Sequence, residues 1–322
     1  MKKIVFICPY FGKLPNYFPA VLISMKYNSS IDWLIFTDDH SNYEYPPNVR
    51  IEYCSFTKIS KLIKEKIDCK IPPSPYKLCD VRPFYGLVFE DYIVDYDFWG
   101  HCDFDCLFGD IRRWIGEEIL NKYNKVLFLG HMSLYSNNLV MKKHMQRYLS
   151  LDQTKELLNV SYPCQLDEVG VINFLASFKE SIFDEQDMIA DVNCLKYNFQ
   201  INYSKIKVDH NGVALHSVCD TSKKNMIFLF DKGKITGIWR SDQVDFCRKE
   251  YMYVHFQKRE IQNKINNDVT SFLLVPNMII NAEEVNEKFY SIVNKTPFVY
   301  SGFFRVKYKN LKNKIKRFMH HV

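Results

Sequence analysis

Apolar residues recur along this chain in short dense runs, each closed by turn-forming or polar residues, and the runs alternate with stretches of helical spacing. Ile4 to Cys8 predicts a buried strand that breaks at Pro9-Tyr10-Phe11-Gly12. Tyr17 to Tyr27 predicts a helix, and Asp32 to Phe36 a second strand running into Thr37-Asp38-Asp39. Strand, helix and strand within about 35 residues make a βαβ unit and hence a parallel sheet. Val49 to Cys54 reads as a third strand and Lys58 to Ile67 as a lysine-rich helix. Pro72-Pro73-Ser74-Pro75 is a stiff break before a further helix over Tyr76 to Pro83. Tyr92 to Cys102 then predicts a strand, Gly109-Asp110 the start of a helix through Tyr123, and Lys125 to Leu129 another strand. Asp167-Glu168 opens an apolar helix through Phe178. Met226 to Phe230 and Lys234 to Trp239 flank Asp231-Lys232-Gly233 as a β-hairpin, and Tyr251 to Phe256 reads as a late strand. The expected fold class is α/β.

Length and composition agree with that expectation. A chain of 322 residues, 47% hydrophobic and 16% aromatic, can bury a large core as one α/β domain or two closely packed halves. The net charge of +6 is misplaced as a guide to partners. Lys288 to Val322 holds nine Lys/Arg and no Asp/Glu, which leaves 34 basic against 37 acidic groups in the body. A nearly neutral body argues against a nucleic-acid face. In the tail Phe304, Tyr308, Leu311, Ile315 and Phe318 form one helical apolar stripe, flanked by Lys307, Lys309, Lys312, Lys314, Lys316 and Arg317. Such a helix fits either an anionic membrane interface or a docking place on its own domain.

The ten cysteines are scattered, and the apolar run after Met1-Lys2-Lys3 is shorter than a secretory core. They are expected to be small buried hydrophobes in a reducing cytoplasm, with the protein peripheral at most to the inner face of the membrane. His101 beside Cys102-x3-Cys106 lacks the second pair that structural zinc needs. No Gly-x-Gly-x-x-Gly and no Gly-x-x-x-x-Gly-Lys is present, so neither a dinucleotide fingerprint nor a P-loop is supported.

The chemistry concentrates in Gly100 to Leu107, Gly-His-Cys-Asp-Phe-Asp-Cys-Leu. Asp103 and Asp105, two apart at a strand end, can face one way while Phe104 turns into the core. Asp-x-Asp is short enough to arise by chance. Its place at the carboxyl end of a strand, where open α/β sheets bind ligands, gives it weight. Hard cations such as Mg²⁺ and Mn²⁺ take one or two carboxylates plus substrate phosphates, so the natural guest is a metal diphosphate. Lys77, Asp80 and Arg82 lie just upstream and could reach a nucleotide sugar, although each alone also reads as helix surface. His131 follows the Lys125 to Leu129 strand and could return beside the donor pocket.

Asp80-x-Arg82, the Tyr85-Gly86 step and the strand ending Asp103-Phe104-Asp105 together resemble the donor half of GT-A glycosyltransferases with a DxD region, in particular the bacterial capsule and polysaccharide-synthesis branch. The likeness in element order covers residues 1 to 260; the likeness in motif is close over 76 to 110. It implies a GT-A-like, Rossmann-like mixed sheet, mainly parallel and flanked by helices. Residues 1–125 would form a nucleotide-sugar half, 126–260 an acceptor half, and 261–322 a C-terminal helical extension. It implies a donor site made by Pro9, Tyr10, Phe11 and Gly12 with Thr37, Asp38 and Asp39 around the base, and by Lys77, Asp80 and Arg82 near the sugar. Asp103 would touch ribose or metal, and Asp105 would be the main ligand of Mn²⁺ or Mg²⁺.

Asp167 or Glu168 would act as the general base toward the acceptor hydroxyl in an inverting transfer, although acidic residues also suit a helix N-terminus; a retaining transfer, toward which the His255/Lys258 ending leans by resemblance, would need no such base. His255 would be a third metal ligand and Lys258 would neutralise the departing diphosphate, against the plainer reading of a structural histidine in an apolar strand. The function so implied is transfer of a sugar from a nucleoside-diphosphate donor, UDP-sugars favoured, to a capsule, O-antigen or similar acceptor, free or lipid-linked. A nucleotidyltransferase or phosphohydrolase would want further acidic ligands for a second metal. A non-catalytic glycan-binding protein would need no metal at all.

Overall fold

A computed structural model describes residues 1–70, 74–209, 212–241, 246–257, 259–266 and 268–282, together with Ile292, Phe304, Lys307, Tyr308, Leu311 and Lys312. Strands β1 (Ile4–Pro9), β2 (Ile31–Thr37), β3 (Val49–Tyr53) and β4 (Phe98–Cys102) run parallel in the spatial order β3-β2-β1-β4. The sheet continues through β7 (Met132–Ser136), antiparallel to β4, then β6 (Lys125–Val126) and β8 (Ile182–Phe183). The dense apolar run of β1 follows from its central place, because both of its faces are covered. Ile4, Phe6 and Cys8 enter one core cluster, while Val5 and Ile7 enter the cluster on the other side.

A second sheet, in the order β11-β10-β9-β15-β5, joins β5 (Cys106–Phe108), β9 (Ile189–Val192), β10 (Ile201–Asp209), β11 (Gly212–Cys219) and β15 (Tyr253–His255). A third, antiparallel except at one edge, contains β12 (Ile227–Asp231), β13 (Lys234–Trp239), β14 (Cys247–Tyr251), β16 (Gln262–Asn263), β17 (Ser271–Val275) and β18 (Met278–Asn281). The expected hairpin is β12–β13, closed by Asp231 against Lys234 with Lys232 and Gly233 at positive φ. The fold is thus mixed α/β, with a mainly parallel sheet and two further sheets. The span 261–281, expected as part of a helical extension, holds β16, β17 and β18 of the third sheet; β17 pairs with β12. A boundary at 260 therefore cuts through one hydrogen-bonded layer.

Several elements are shorter than their apolar runs. The strand expected from Tyr92 begins only at Phe98, because Asn137 Nδ2 draws the Ile93 and Tyr96 carbonyls into a loop and the Tyr96 hydroxyl donates to Asp32. The helix expected over 110–123 is two pieces, Ile111–Trp114 and Glu117–Lys122, divided at Gly116, whose backbone is extended. Leu127, at φ +62°, ends β6 after two residues. Residues 75–84 wind as 3₁₀ turns, which accommodate Pro83, and the helix expected from Asp167 starts with a π turn over Leu166–Gly170 before Val171–Ala176.

All ten cysteines are free thiols, and Cys8, Cys69, Cys102 and Cys106 are the fully buried ones. Among the described residues no helix is long and apolar enough to cross a membrane. Phe304, Tyr308 and Leu311 of the tail stripe are exposed; Ile315, Phe318 and the basic positions other than Lys307 and Lys312 lie outside the described residues.

Candidate active site

The Asp-x-Asp pair sits in the turn between β4 and β5, where the first sheet hands over to the second. The Asp103 N–H donates to the His131 carbonyl at 2.9 Å, and the Asp105 carbonyl accepts from the Phe256 N–H at 2.9 Å. Phe104 turns inward as the alternation predicts, packing on Tyr10 and Phe18. The flanking carboxylates, expected to face one way, meet different partners, Asp103 with Arg82 and Asp105 with His255.

Asp105 meets His255, whose Nε2 lies 3.4 Å from Asp105 Oδ1. Strand pairing fixes this meeting: in β15, His255 is opposite Cys106 of β5 on one side and opposite Asp191 of β9 on the other. His255 Nδ1 is 2.8 Å from Asp191 Oδ1, and Gln257 Nε2 donates to the same oxygen at 2.8 Å. The His131 ring stacks on His255 at 4.1 Å between centroids, and the Tyr253 hydroxyl lies 2.8 Å from His131 Nδ1. Burial opposes a charge on His255, but Asp105 and Asp191 outweigh it and hold the imidazolium up to about 10. Burial, followed by the neighbouring His255, pushes His131 down to about 3. Asp191, although buried, is held below the usual carboxylate range by the hydrogen bond from His255.

Two groups of side chains could hold a cation, Asp105 with Cys106 and His255, and His131 with Asp191 and His255. The first opens at the turn, with Asp105 partly exposed. In the second, the near-parallel stacking of His131 and His255 keeps their in-plane lone pairs from converging. A hard carboxylate oxygen and an imidazole nitrogen, with a second carboxylate two residues away, suit a metal such as Mn²⁺ better than Mg²⁺, which prefers oxygen alone.

Asp103 pairs instead with Arg82, whose Nη2 donates to Asp103 Oδ1. Nη1 of the same guanidinium donates to the Gly130 carbonyl at 2.7 Å and to Asp167 Oδ2 at 3.1 Å. Glu168 Oε1 accepts from the Gly130 N–H at 2.9 Å. A Cβ on residue 130 would stand 2.8 Å from Asp167 Oδ2 and 2.9 Å from Glu168 Oε1, so any other residue would displace one or both carboxylates from this arrangement. One guanidinium thus faces Asp103, Asp167 and Glu168. Burial pushes all three carboxyls up, Asp167 to about 8, against the pull of Arg82.

A raised acid takes up a proton on folding. Between about pH 4 and about 8 the folded chain holds on Asp167 a proton that the unfolded chain has released, so this contribution to stability is present at low pH and is lost as pH rises through that window. Asp167→Asn is expected to remove a slope of about 1 kcal/mol per pH unit. Urea unfolding midpoints at pH 5 and pH 8 check this; equal pH dependence in mutant and wild type refutes it.

Residues 6–283 match a family described as one of unknown function, DUF6625. The chain belongs to this family. No curated protein matches it. Among solved structures, the glycosyltransferase GlyE of Streptococcus pneumoniae TIGR4 is similar at 15% identity and a TM-score of 0.32, over 58% of this chain and 45% of that one. The chain therefore spans less than half the length of GlyE. The galactosyltransferase LgtC, in complex with donor and acceptor sugar analogues, gives 14% identity and a TM-score of 0.37 over 58% of this chain and 75% of that one. Mouse xyloside xylosyltransferase 1 gives 8% and 0.39 over 60% and 88%. At these scores none of the three likenesses establishes an activity for the DUF6625 chain.

Around this centre the DUF6625 chain uses some expected ligand residues to build itself. Lys77 and Asp80, 2% and 0% exposed, pair at 2.6 Å. Lys77 Nζ also donates to the carbonyls of Leu157 and Tyr162, and Asp80 accepts the N–H groups of Cys164 and Leu166. The expectation that they reach a nucleotide sugar is corrected: saturated by protein partners, they anchor the turn that carries Asp167. The loop 9–12 does meet Thr37–Asp39. Asp38 accepts from the Gly12 N–H and Asp39 from the Leu14 N–H, each at 2.7 Å, and the Tyr10 N–H donates to the Phe36 carbonyl. Thr37 is buried, whereas Pro9, Tyr10 and Phe11 are only partly covered. His131 lies under His255 and is 7% exposed, which makes it a support rather than a wall of an open pocket. Lys258 lies outside the described residues. Asp191, Tyr253 and Gln257 were not singled out from the sequence. The available signal was an aspartate inside the apolar run Ile189–Val192 and the Tyr253-Val254-His255 alternation.

Proposed function

We propose that this chain is a metal-dependent glycosyltransferase that moves a sugar from a nucleoside-diphosphate donor, a UDP-sugar by preference, to a bacterial surface-glycan acceptor. The observation that carries the reading is the convergence of Asp105 with His255, beside Asp103, in the turn that follows the central parallel strand β4. Open α/β sheets bind ligands at the carboxyl ends of such strands. The motif resemblance of residues 76 to 110 supplies the reaction class.

In this reading Asp105 and His255 hold the metal, and Asp103 faces it or the ribose. Bound there, Mn²⁺ or Mg²⁺ would stabilise the charge that develops on the diphosphate leaving group. The loop 9–12 and Thr37–Asp39 form the wall toward the base, and Arg82 orients Asp103 and the sugar. Burial raises Asp167 to about 8 and raises Glu168 as well, so either carboxylate, once ionised, is a stronger base toward the acceptor hydroxyl than a free one. The basic tail would bring the enzyme to an anionic membrane that carries a lipid-linked acceptor. A second metal centre, as a nucleotidyltransferase or phosphohydrolase would want, has less support, since both potential ligand groups among the described residues share His255.

Hydrolysis of a panel of nucleotide sugars with and without Mn²⁺, together with calorimetry using UDP and Mn²⁺, tests the reading. Metal-dependent turnover of at least one donor is expected; no metal-dependent binding of any nucleoside diphosphate overturns it. His255→Ala is expected to weaken Mn²⁺-dependent UDP binding by roughly tenfold, less than loss of Asp105, because the carboxylate supplies the negative charge that holds a hard cation. Equal binding by His255→Ala and wild type in the same calorimetric titration would return His255 to a structural role.

A further inference from the structure

We infer that Asp191 is the positioning residue for His255, holding the imidazole so that Nε2 is the nitrogen presented to the metal beside Asp105. The inference rests on the reading of Asp105 and His255 as ligands and goes one layer behind it. An ionised carboxylate only accepts hydrogen bonds, so at 2.8 Å from Asp191 Oδ1 the Nδ1 atom carries the proton. Nε2, 3.4 Å from Asp105, is then the atom that gives up its proton to an arriving cation and offers it the lone pair, while Nδ1–H stays on Asp191. Ligating histidines characteristically give their other N–H to a carboxylate in this way, which fixes both tautomer and ring direction.

Three features make this arrangement specific. The backbone pairing of β15 with β9 puts His255 directly opposite Asp191, so the contact is set by strand register and not by a mobile side chain. Gln257 Nε2 donates to the oxygen that faces Nδ1, which locks the carboxylate's own rotation. Behind the ring, His131 stacks at 4.1 Å and is itself tied to the Tyr253 hydroxyl, so the imidazole has little room to turn. Asp191 and His255 are both buried, at 7% and 8% exposure, and a rotated ring would leave a carboxylate without its partner in the interior.

The test uses the full chain with Mn²⁺ and UDP as probes. Asp191→Asn keeps the shape and removes the obligate acceptor, and calorimetry is expected to show Mn²⁺ affinity in the presence of UDP lowered by about 10- to 100-fold. Co²⁺ in place of Mn²⁺ gives a second readout, a change in the visible absorption of the bound ion, which a purely structural role for Asp191 would not produce. Wild-type Mn²⁺ affinity and an unchanged Co²⁺ spectrum in the mutant overturn the inference. Failure of wild type itself to bind Mn²⁺ with UDP overturns the underlying ligand reading, and the inference with it. If Asp191→Asn does not fold, Gln257→Met frees the carboxylate to rotate, and a smaller loss of Mn²⁺ affinity in the same direction is expected; no loss counts against the assignment.

Discussion

Asp105→Asn is expected to abolish Mn²⁺-dependent UDP binding and donor turnover, by on the order of 100-fold or more, while leaving the fold intact. Asparagine reproduces the shape of the side chain and lacks the charge that holds a hard cation. Loss of Asp105 also removes the carboxylate that faces Nε2 of His255 at 3.4 Å, so both sides of the proposed site change at once. The side chain is partly exposed and lies in a turn, and asparagine keeps its shape beside His255, so the fold is expected to persist at a cost of about 1 kcal/mol. Calorimetry with UDP and Mn²⁺, run beside a thermal melt, separates the two effects. Wild-type affinity in a normally folded mutant would remove Asp105 from the metal site.

Asp80→Ala is expected to act in the opposite sense, on stability first. Removing this carboxylate leaves the Lys77 ammonium in the interior without its ionic partner and leaves the N–H groups of Cys164 and Leu166 without their acceptor. Breaking a buried pair from one side costs about 3–5 kcal/mol, a large part of the roughly 5–15 kcal/mol by which a domain is stable. Lys77→Met combined with Asp80→Leu should be milder than Asp80→Ala alone, because no uncompensated charge stays behind. Urea unfolding of the three proteins gives the comparison. A single mutant within 1 kcal/mol of wild type would show that the pair does not anchor the chain. The same loss should loosen the π turn with Asp167, since Leu166 opens that turn.

What can be read from residues in one dimension is what local physics decides. The apolar run Ile4 to Cys8, the helix after it and the run Asp32 to Phe36 announce a parallel βαβ start, because burial on both faces requires continuous hydrophobicity. Lys232-Gly233 announces the β12–β13 turn, and Phe104 between two aspartates is expected to turn inward and is buried. Element ends were less legible, because Asn137 and the backbone at Gly116 and Leu127 stop apolar runs through contacts or torsions that hydropathy does not encode.

The site shows the division most clearly. The sequence by itself determined that Asp103 and Asp105 stand together and that His255 closes an apolar strand. It could not tell that Lys77 and Asp80, two polar residues just upstream of the motif, are interior scaffold while Arg82, two positions on from Asp80, reaches Asp103 and Asp167. Only the tertiary structure decided that Asp191 stands beside His255, since that pairing depends on the register of β15 against β9, whose residues are far apart in the chain. A charge in a buried strand is costly unless it finds a partner, and which partner it finds is a property of the assembled sheet, not of its neighbours in sequence.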